Sequence, residues 1–125
     1  MKRWAAVVVL AHLVVYIIHG MAHSRLQIGL SVWGSIFVIG VIGIGPIAGL
    51  LLLWAGRVRS GAMTLALTMA GSLLFGLWNH FVVSGPDHVA HLPEGPWKST
   101  FQVTAVLLLI TEAVGTAVGV ALLRR

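Results

Sequence analysis

Four long apolar stretches constrain the fold of this chain more than any other feature of its sequence. They span residues 4–23, 28–54, 62–83 and 99–123. Each reaches or exceeds the roughly 20 residues that a helix needs to cross about 30 Å of hydrocarbon in a membrane. The sequence therefore predicts an all-α integral membrane protein whose 125 residues form a single four-helix transmembrane domain, with one substantial loop at residues 84–98.

The composition supports this class and excludes several others. Apolar residues make up 58% of the chain and charged residues 9%, with a mean hydropathy of +1.00, whereas ordinary soluble domains carry about 25% charged residues. Cysteine is absent, which excludes thiolate metal sites, iron–sulfur clusters and thiol nucleophiles. The net charge of +5 does not indicate nucleic-acid binding, because the basic residues lie at the ends of the apolar stretches and not in one patch.

The lysines and arginines are divided unequally between the two sets of helix ends. Arg25 and Lys98 lie at one set of ends, and all the others lie at the opposite set, namely Lys2, Arg3, Arg57, Arg59, Arg124 and Arg125. Because cytoplasmic segments carry the excess of basic residues, we expect both termini in the cytoplasm. A multi-pass protein of a cell membrane, of the bacterial inner-membrane type, is the localisation that this pattern favours.

The first apolar stretch also has some features of a signal peptide, since Lys2 and Arg3 precede it and small residues follow it. His12 and His19 interrupt the apolar run, and the run is long. We therefore expect an uncleaved first helix.

Small residues recur at four-residue spacing on the later helices. The fourth stretch carries Gly115 and Gly119, and the third carries Ala62 and Ala66. Helices in lipid associate through close approach of such residues. We expect them to pack the bundle internally. The alternative is that they form the seam of a homodimer or of a larger membrane complex, in addition to the lipid bilayer as partner.

The six histidines are the most informative polar residues. In the predicted orientation His12 lies near the bilayer centre, and the other five lie at or near the outer side, namely His19, His23, His80, His88 and His91. On the first helix His12, Tyr16, His19 and His23 are separated by four, three and four residues, which puts them on one stripe of the helix. A polar stripe of this kind is expected to face the bundle or a wet cavity, not lipid.

The outer histidines predict a metal site. His19 and His23 are four residues apart on a helix, a spacing that lets two imidazoles chelate one ion. His88 and His91 are three residues apart and could chelate if their segment makes one helical turn. Asp87 could bind the ion directly or orient a ligating imidazole. The predicted ligands are His19, His23, His80, His88 and His91, with Asp87 in support. Imidazole ligands without thiolates suit zinc, copper, iron or nickel.

A b-type haem is the alternative cofactor. His19 and His80 are expected at the same depth on two helices, and facing histidines of a bundle can hold haem iron. His12 has no histidine at its own depth on another helix. This argues against two haems that span the membrane.

Glu112 is the only acid within the apolar stretches, and His12 is the only ionisable group near its depth. An unpaired carboxylate in hydrocarbon is costly, so the sequence predicts a midplane pair of His12 and Glu112. The pair would be either one interhelical hydrogen bond or the start of a proton relay through Tyr16 and His19.

Neither a nucleotide-binding loop nor a G-x-S-x-G motif is present, so whether the chain is an enzyme stays open. The favoured function is a small membrane protein that handles a metal, or supports redox chemistry, through its outer histidines. The alternatives are a non-catalytic accessory subunit of a membrane complex and a small proton-coupled carrier that uses Glu112 and His12.

Overall fold

A computed structural model describes all 125 residues, and every regular element in it is helical. The four helices are α1 (Lys2–Arg25), α2 (Val32–Trp54), α3 (Val58–Val82) and α4 (Lys98–Leu123). Each is long and apolar enough to cross a membrane, so the prediction of an all-helical chain with four candidate spans is confirmed. The helices alternate in direction. Both chain termini and the α2–α3 turn lie at one end, called the terminus end, and residues 26–31 and 83–97 lie at the other, called the loop end.

The helix bounds fall within four residues of the predicted stretches. The largest differences are at the starts of α2 and α3. Helix α2 begins only at Val32 because Ser31 caps it, its hydroxyl accepting a hydrogen bond from the backbone N–H of Gly34 at 3.0 Å. Helix α3 begins as early as Val58 because the turn before it is short. Gly56 makes that turn with φ of +81°, a conformation that glycine adopts readily.

Helix α4 packs against α1 and α3, and α3 packs against α2. A cluster of buried apolar residues fills the terminus end, namely Ala5, Val9, Leu50, Leu53, Ala62, Leu65, Met69 and Leu122. Glycines bring the helices into backbone contact there. A Cβ atom at Gly61 would lie 2.7 Å from the backbone nitrogen of Leu53, and one at Gly119 would lie 2.7 Å from that of Ala66. Small residues of α3 and α4 therefore pack the bundle internally.

The outward surface of the bundle is apolar. Only 29 of the 125 residues are buried, while large side chains such as Val32, Trp33 and Leu67 are between 67% and 79% exposed. Extensive exposed apolar surface is typical of membrane or protein interaction sites, and much of it here lies on the four candidate spans.

Two segments of the helices are wound as wider π-helix, Val38–Ile44 inside α2 and Trp78–Val82 at the end of α3. Such segments often occur at functional sites. Carbonyl groups of the first segment contact two residues of the polar stripe of α1, because Tyr16 donates to Val38 at 3.3 Å and the His12 Nε2 atom lies 3.1 Å from the carbonyl oxygen of Ile42. The second segment carries His80.

Candidate metal centre

Three histidines converge at the loop end, inside the bundle. His19 and His23 come from one face of α1, and His80 comes from the π-helical end of α3. One ring nitrogen of each lies within 4.8 Å of the ring nitrogens of the other two. His19 and His80 are both 6% exposed, and the side chain of His23 is 15% exposed. Together they form a cluster that could hold a metal ion.

An aromatic ring supports all three imidazoles. Phe101, in the first turn of α4, is fully buried. Its ring centroid lies 4.5 Å from that of His19, 4.8 Å from that of His23 and 5.3 Å from that of His80. No feature of the sequence indicates this role, because one phenylalanine in an apolar helix resembles any other core residue.

The hydrogen bond of His19 assigns its proton to Nδ1. This atom lies 2.8 Å from the hydroxyl oxygen of Thr104. That hydroxyl lies 2.6 Å from the carbonyl oxygen of Thr100, which can only accept, so the single hydroxyl hydrogen is donated there. The Thr104 oxygen therefore accepts from Nδ1–H of His19, and Nε2 of this ring carries a free lone pair.

The other two rings follow the same pattern. The Nδ1 atom of His80 lies 3.0 Å from the backbone carbonyl oxygen of Asp87, and that of His23 lies 3.1 Å from the carbonyl oxygen of Ile28. Carbonyl oxygens only accept hydrogen bonds, so both Nδ1 atoms are donors. In all three histidines, Nε2 is left as the atom available to a ligand.

These free Nε2 atoms lie close to other electron-rich atoms. The two Nε2 atoms of His19 and His80 are 3.3 Å apart, and two lone pairs at this distance repel unless a positive ion lies between them. Two nitrogens bound to one tetrahedral metal at about 2.0–2.1 Å are themselves about 3.3 Å apart. The arrangement therefore matches one edge of a tetrahedral metal site.

Asp87 closes the cluster from the loop. Its Oδ2 atom lies 3.5 Å from Nδ1 of His80, and its Oδ1 atom lies 3.3 Å from Nε2 of His23. Oδ1 is buried and has no hydrogen-bond donor. The loop is held down by a backbone hydrogen bond of 3.0 Å from Val89 to His80 and by one of 2.9 Å from the Gln102 side chain to Val89.

His88 and His91, the other two predicted ligands, lie outside this cluster. Nε2 of His88 lies 3.2 Å from the carbonyl oxygen of Phe81, and its Nδ1 accepts from the N–H of Ala90 at 3.1 Å. Both ring nitrogens of His88 are therefore occupied. His91 is exposed and stacks near His88, with ring centroids 4.8 Å apart. The structure thus brings together three of the five histidines predicted as ligands.

No hydrogen bond or ion pair joins His12 to Glu112, so the expected midplane pair is not formed. His12 is fully buried between Ile42 and Thr111, with its Nδ1 atom 3.4 Å from the Thr111 hydroxyl. Successive residues of a helix point about 100° apart. Because Thr111 faces α1, Glu112 turns away from it towards α3.

Glu112 instead faces a cavity of about 270 Å³ that also reaches the three histidines and Asp87. The Glu112 side chain is 1% exposed, and its Oε2 atom has no hydrogen-bond partner. The remaining wall is mostly apolar, with Ile42, Phe75 and Leu108 among its residues. The sequence pointed to the histidines, Asp87 and Glu112 but not to their common surface.

The fold and the site together define a class: an all-helical chain with four candidate membrane spans and a buried cluster of three histidines that could hold a metal ion. No protein-family model matches the chain, and comparisons with curated proteins and with solved structures find no significant match.

Proposed function

We propose that this chain is a multi-pass membrane protein that binds one transition-metal ion through His19, His23 and His80. The observation that carries the proposal is the shared direction of three hydrogen bonds. Each ring donates its Nδ1–H to an oxygen that is not one of the proposed ligand atoms and leaves Nε2 for the ion. Histidines that bind metals have this second hydrogen bond almost without exception, because it fixes the tautomer and the orientation of the ring.

Asp87 acts with the three histidines. Its unpartnered Oδ1 beside Nε2 of His23 is suited to a fourth ligand position, and its backbone carbonyl oxygen accepts the hydrogen bond that orients His80. Three imidazoles and one carboxylate suit zinc, copper(II), iron or nickel. A site of this kind can expand to five ligands, and the added, exchangeable position would face the cavity.

The apolar outer surface and the four candidate spans support insertion into a membrane. The excess of lysine and arginine at the terminus end supports a cytoplasmic location for that end. The metal centre would then lie on the outer side, which is periplasmic if the membrane is a bacterial inner membrane.

A single ion suits the geometry better than haem. Haem iron between two imidazoles would separate their nitrogens by about twice a bond of 2.0 Å, that is about 4 Å, with the porphyrin between the rings. Here the two nitrogens are 3.3 Å apart. His23 and Phe101 also pack against both rings, where a porphyrin would need space.

The test is elemental analysis of protein purified in mild detergent, without chelator and without a polyhistidine tag. We expect about one metal ion per chain, loss of that ion in His19→Ala, and retention in His91→Ala. The second variant is the matched control, because His91 is an exposed histidine of the same end that lies outside the cluster. Because ligating imidazoles must be neutral, the ion should also be released as the pH is lowered.

Two results would overturn the proposal. Protein that takes up no zinc, copper, iron or nickel after incubation would leave a shared proton, not a metal, between His19 and His80. The function as a non-catalytic accessory subunit would then be favoured over metal binding. Iron accompanied by the visible spectrum of haem would replace the ion by the alternative cofactor.

A further inference from the structure

We propose that the cavity between the histidine cluster and Glu112 binds a small lipid-soluble molecule that carries a carbonyl or hydroxyl oxygen. The inference rests on the proposed metal site and adds to it the class of molecule that the site acts on or carries. It depends on three features of the cavity: its size and lining, its two polar ends, and its opening.

The size and lining select an apolar molecule. The volume is about 270 Å³, and an apolar protein cavity of about 150 Å³ is known to hold benzene. Ile42, Phe75 and Leu108 contribute apolar wall. A substituted ring or a short aliphatic chain would fill this space, whereas a charged molecule would lose its hydration without compensation.

The two polar ends select an oxygen function. The histidine cluster lies at one end, and the unpartnered Oε2 atom of Glu112 lies at the other. A Cβ atom placed on Gly76 would be 3.8 Å from that oxygen and 3.9 Å from Cδ2 of His80, so the Glu112 carboxyl group and the His80 ring border the same small space. A buried polar atom without a partner is costly. A ligand oxygen between the metal and the Glu112 carboxyl group would remove that cost.

The opening faces the apolar surface of the bundle. Helix α1 makes few contacts with the half of α2 nearest the loop end. The cavity wall there includes Ile17, Gly20 and Leu30, all exposed. Because this side of the bundle would be covered by lipid, the ligand would enter from the membrane and not from water.

The experiment uses cobalt(II)-loaded protein in phosphatidylcholine nanodiscs and two metal-binding probes, acetohydroxamic acid and hexanohydroxamic acid. Binding is followed by the visible spectrum of the cobalt ion. The diagnostic variant is Gly76→Ala, because its methyl group would occupy the cavity at ordinary contact distances of 3.6–3.9 Å. The matched control is Gly71→Ala on the same helix, whose methyl group would contact Val41 and Phe37 at 3.6 and 3.7 Å, outside the cavity.

We expect Gly76→Ala to weaken binding of the longer probe about fourfold or more, the equivalent of one displaced methylene group. Binding of the shorter probe should change much less, and Gly71→Ala should change neither. Partition of the probes into lipid cancels in these ratios, because every variant is measured in the same lipid. An unaltered cobalt spectrum before the probe is added shows that the variant is folded.

The outcomes separate the two proposals. If the unmodified protein binds no cobalt or other ion, the metal site itself is refuted. If cobalt binds but Gly76→Ala and Gly71→Ala have the same affinity for the longer probe, the metal site is supported and ligand binding in the cavity is refuted. A selective loss in Gly76→Ala supports both.

Discussion

The two ends of this bundle are held together in opposite ways. At the terminus end, helices meet backbone to backbone. A Cβ atom at Gly49 would lie 3.0 Å from the backbone nitrogen of Leu65, and Gly61 is tighter still. At the loop end the helices are bridged by polar side chains, such as His19 with Thr104, and they enclose a cavity. The glycine contacts leave no room for a methyl group at one end, whereas the other keeps both space and buried polar groups.

This contrast indicates how the molecule can hold a polar site. Empty volume and buried polar atoms both lower stability. Little hydrophobic drive exists between helices in lipid, so close approach of small residues supplies much of the packing energy. We infer that the terminus end stabilises the bundle and thereby allows the loop end to carry the histidine cluster and its cavity.

Gly61→Ala, which disturbs the close packing of the terminus end, is expected to have the largest effect on stability. The added methyl group would lie 2.7 Å from the Leu53 nitrogen and 2.8 Å from the Gly49 oxygen, so two backbones must separate. We expect the free energy of unfolding to fall by about 2 to 3 kcal/mol, as for other overpacked cores. Denaturant titration in mixed micelles measures it, with Gly71→Ala as the control because its methyl group meets only side chains at 3.6 Å or more.

The metal affinity of the folded Gly61→Ala protein should stay the same, since the change lies at the opposite end from the cluster. Equal stability of the Gly61→Ala and Gly71→Ala proteins would contradict the importance of backbone contact at the terminus end. A drop in metal affinity would show that the two ends are not independent.

A smaller effect is expected from Thr104→Val at the loop end. Valine keeps the shape of threonine but cannot accept the hydrogen bond from Nδ1 of His19, which is 2.8 Å long. Loss of such an orienting partner lowers metal affinity by about 10- to 100-fold in other proteins, and we expect about tenfold here. Competition with a chromophoric chelator measures this change.

Thr111→Val is the matched control for that variant. Thr111 lies on the same helix and contacts a histidine as well, but the histidine is His12, which is outside the cluster. Similar metal affinities in the two valine variants would contradict an orienting role for Thr104. A selective loss in Thr104→Val would support the assignment of Nε2 as the ligating atom of His19.

The same contrast explains what the sequence could and could not predict. The four helices follow from length and hydropathy, which are local properties, and the four-residue spacing of His19 and His23 fixes their common face. Matching depths along two helices suggested that His80 would join them. Each of these inferences uses only the regular geometry of a helix.

The remaining features depend on contacts between distant residues. The loop folds back so that Asp87, and not His88 or His91, reaches the cluster. Composition cannot distinguish these three residues, because all of them are suitable ligands in one short irregular segment. The separation of His12 from Glu112 depends on which side of α4 faces α1. The apolar periodicity of a membrane helix specifies this weakly, because lipid and core are both apolar.

The smallest expected effect tests that distinction within the loop. Glu94 is an acid seven residues beyond Asp87, but its side chain is 88% exposed and pairs with Lys98. Exposed ion pairs contribute little, so Glu94→Gln should change the free energy of unfolding by less than about 0.5 kcal/mol and leave metal affinity unchanged. Asp87→Asn, measured beside it by the same chelator competition, should lower the metal affinity because it alters the carboxylate that contacts His23 and His80. If the two variants bind metal equally well, the buried oxygen of Asp87 has no part in the site, and the three histidines alone hold the ion.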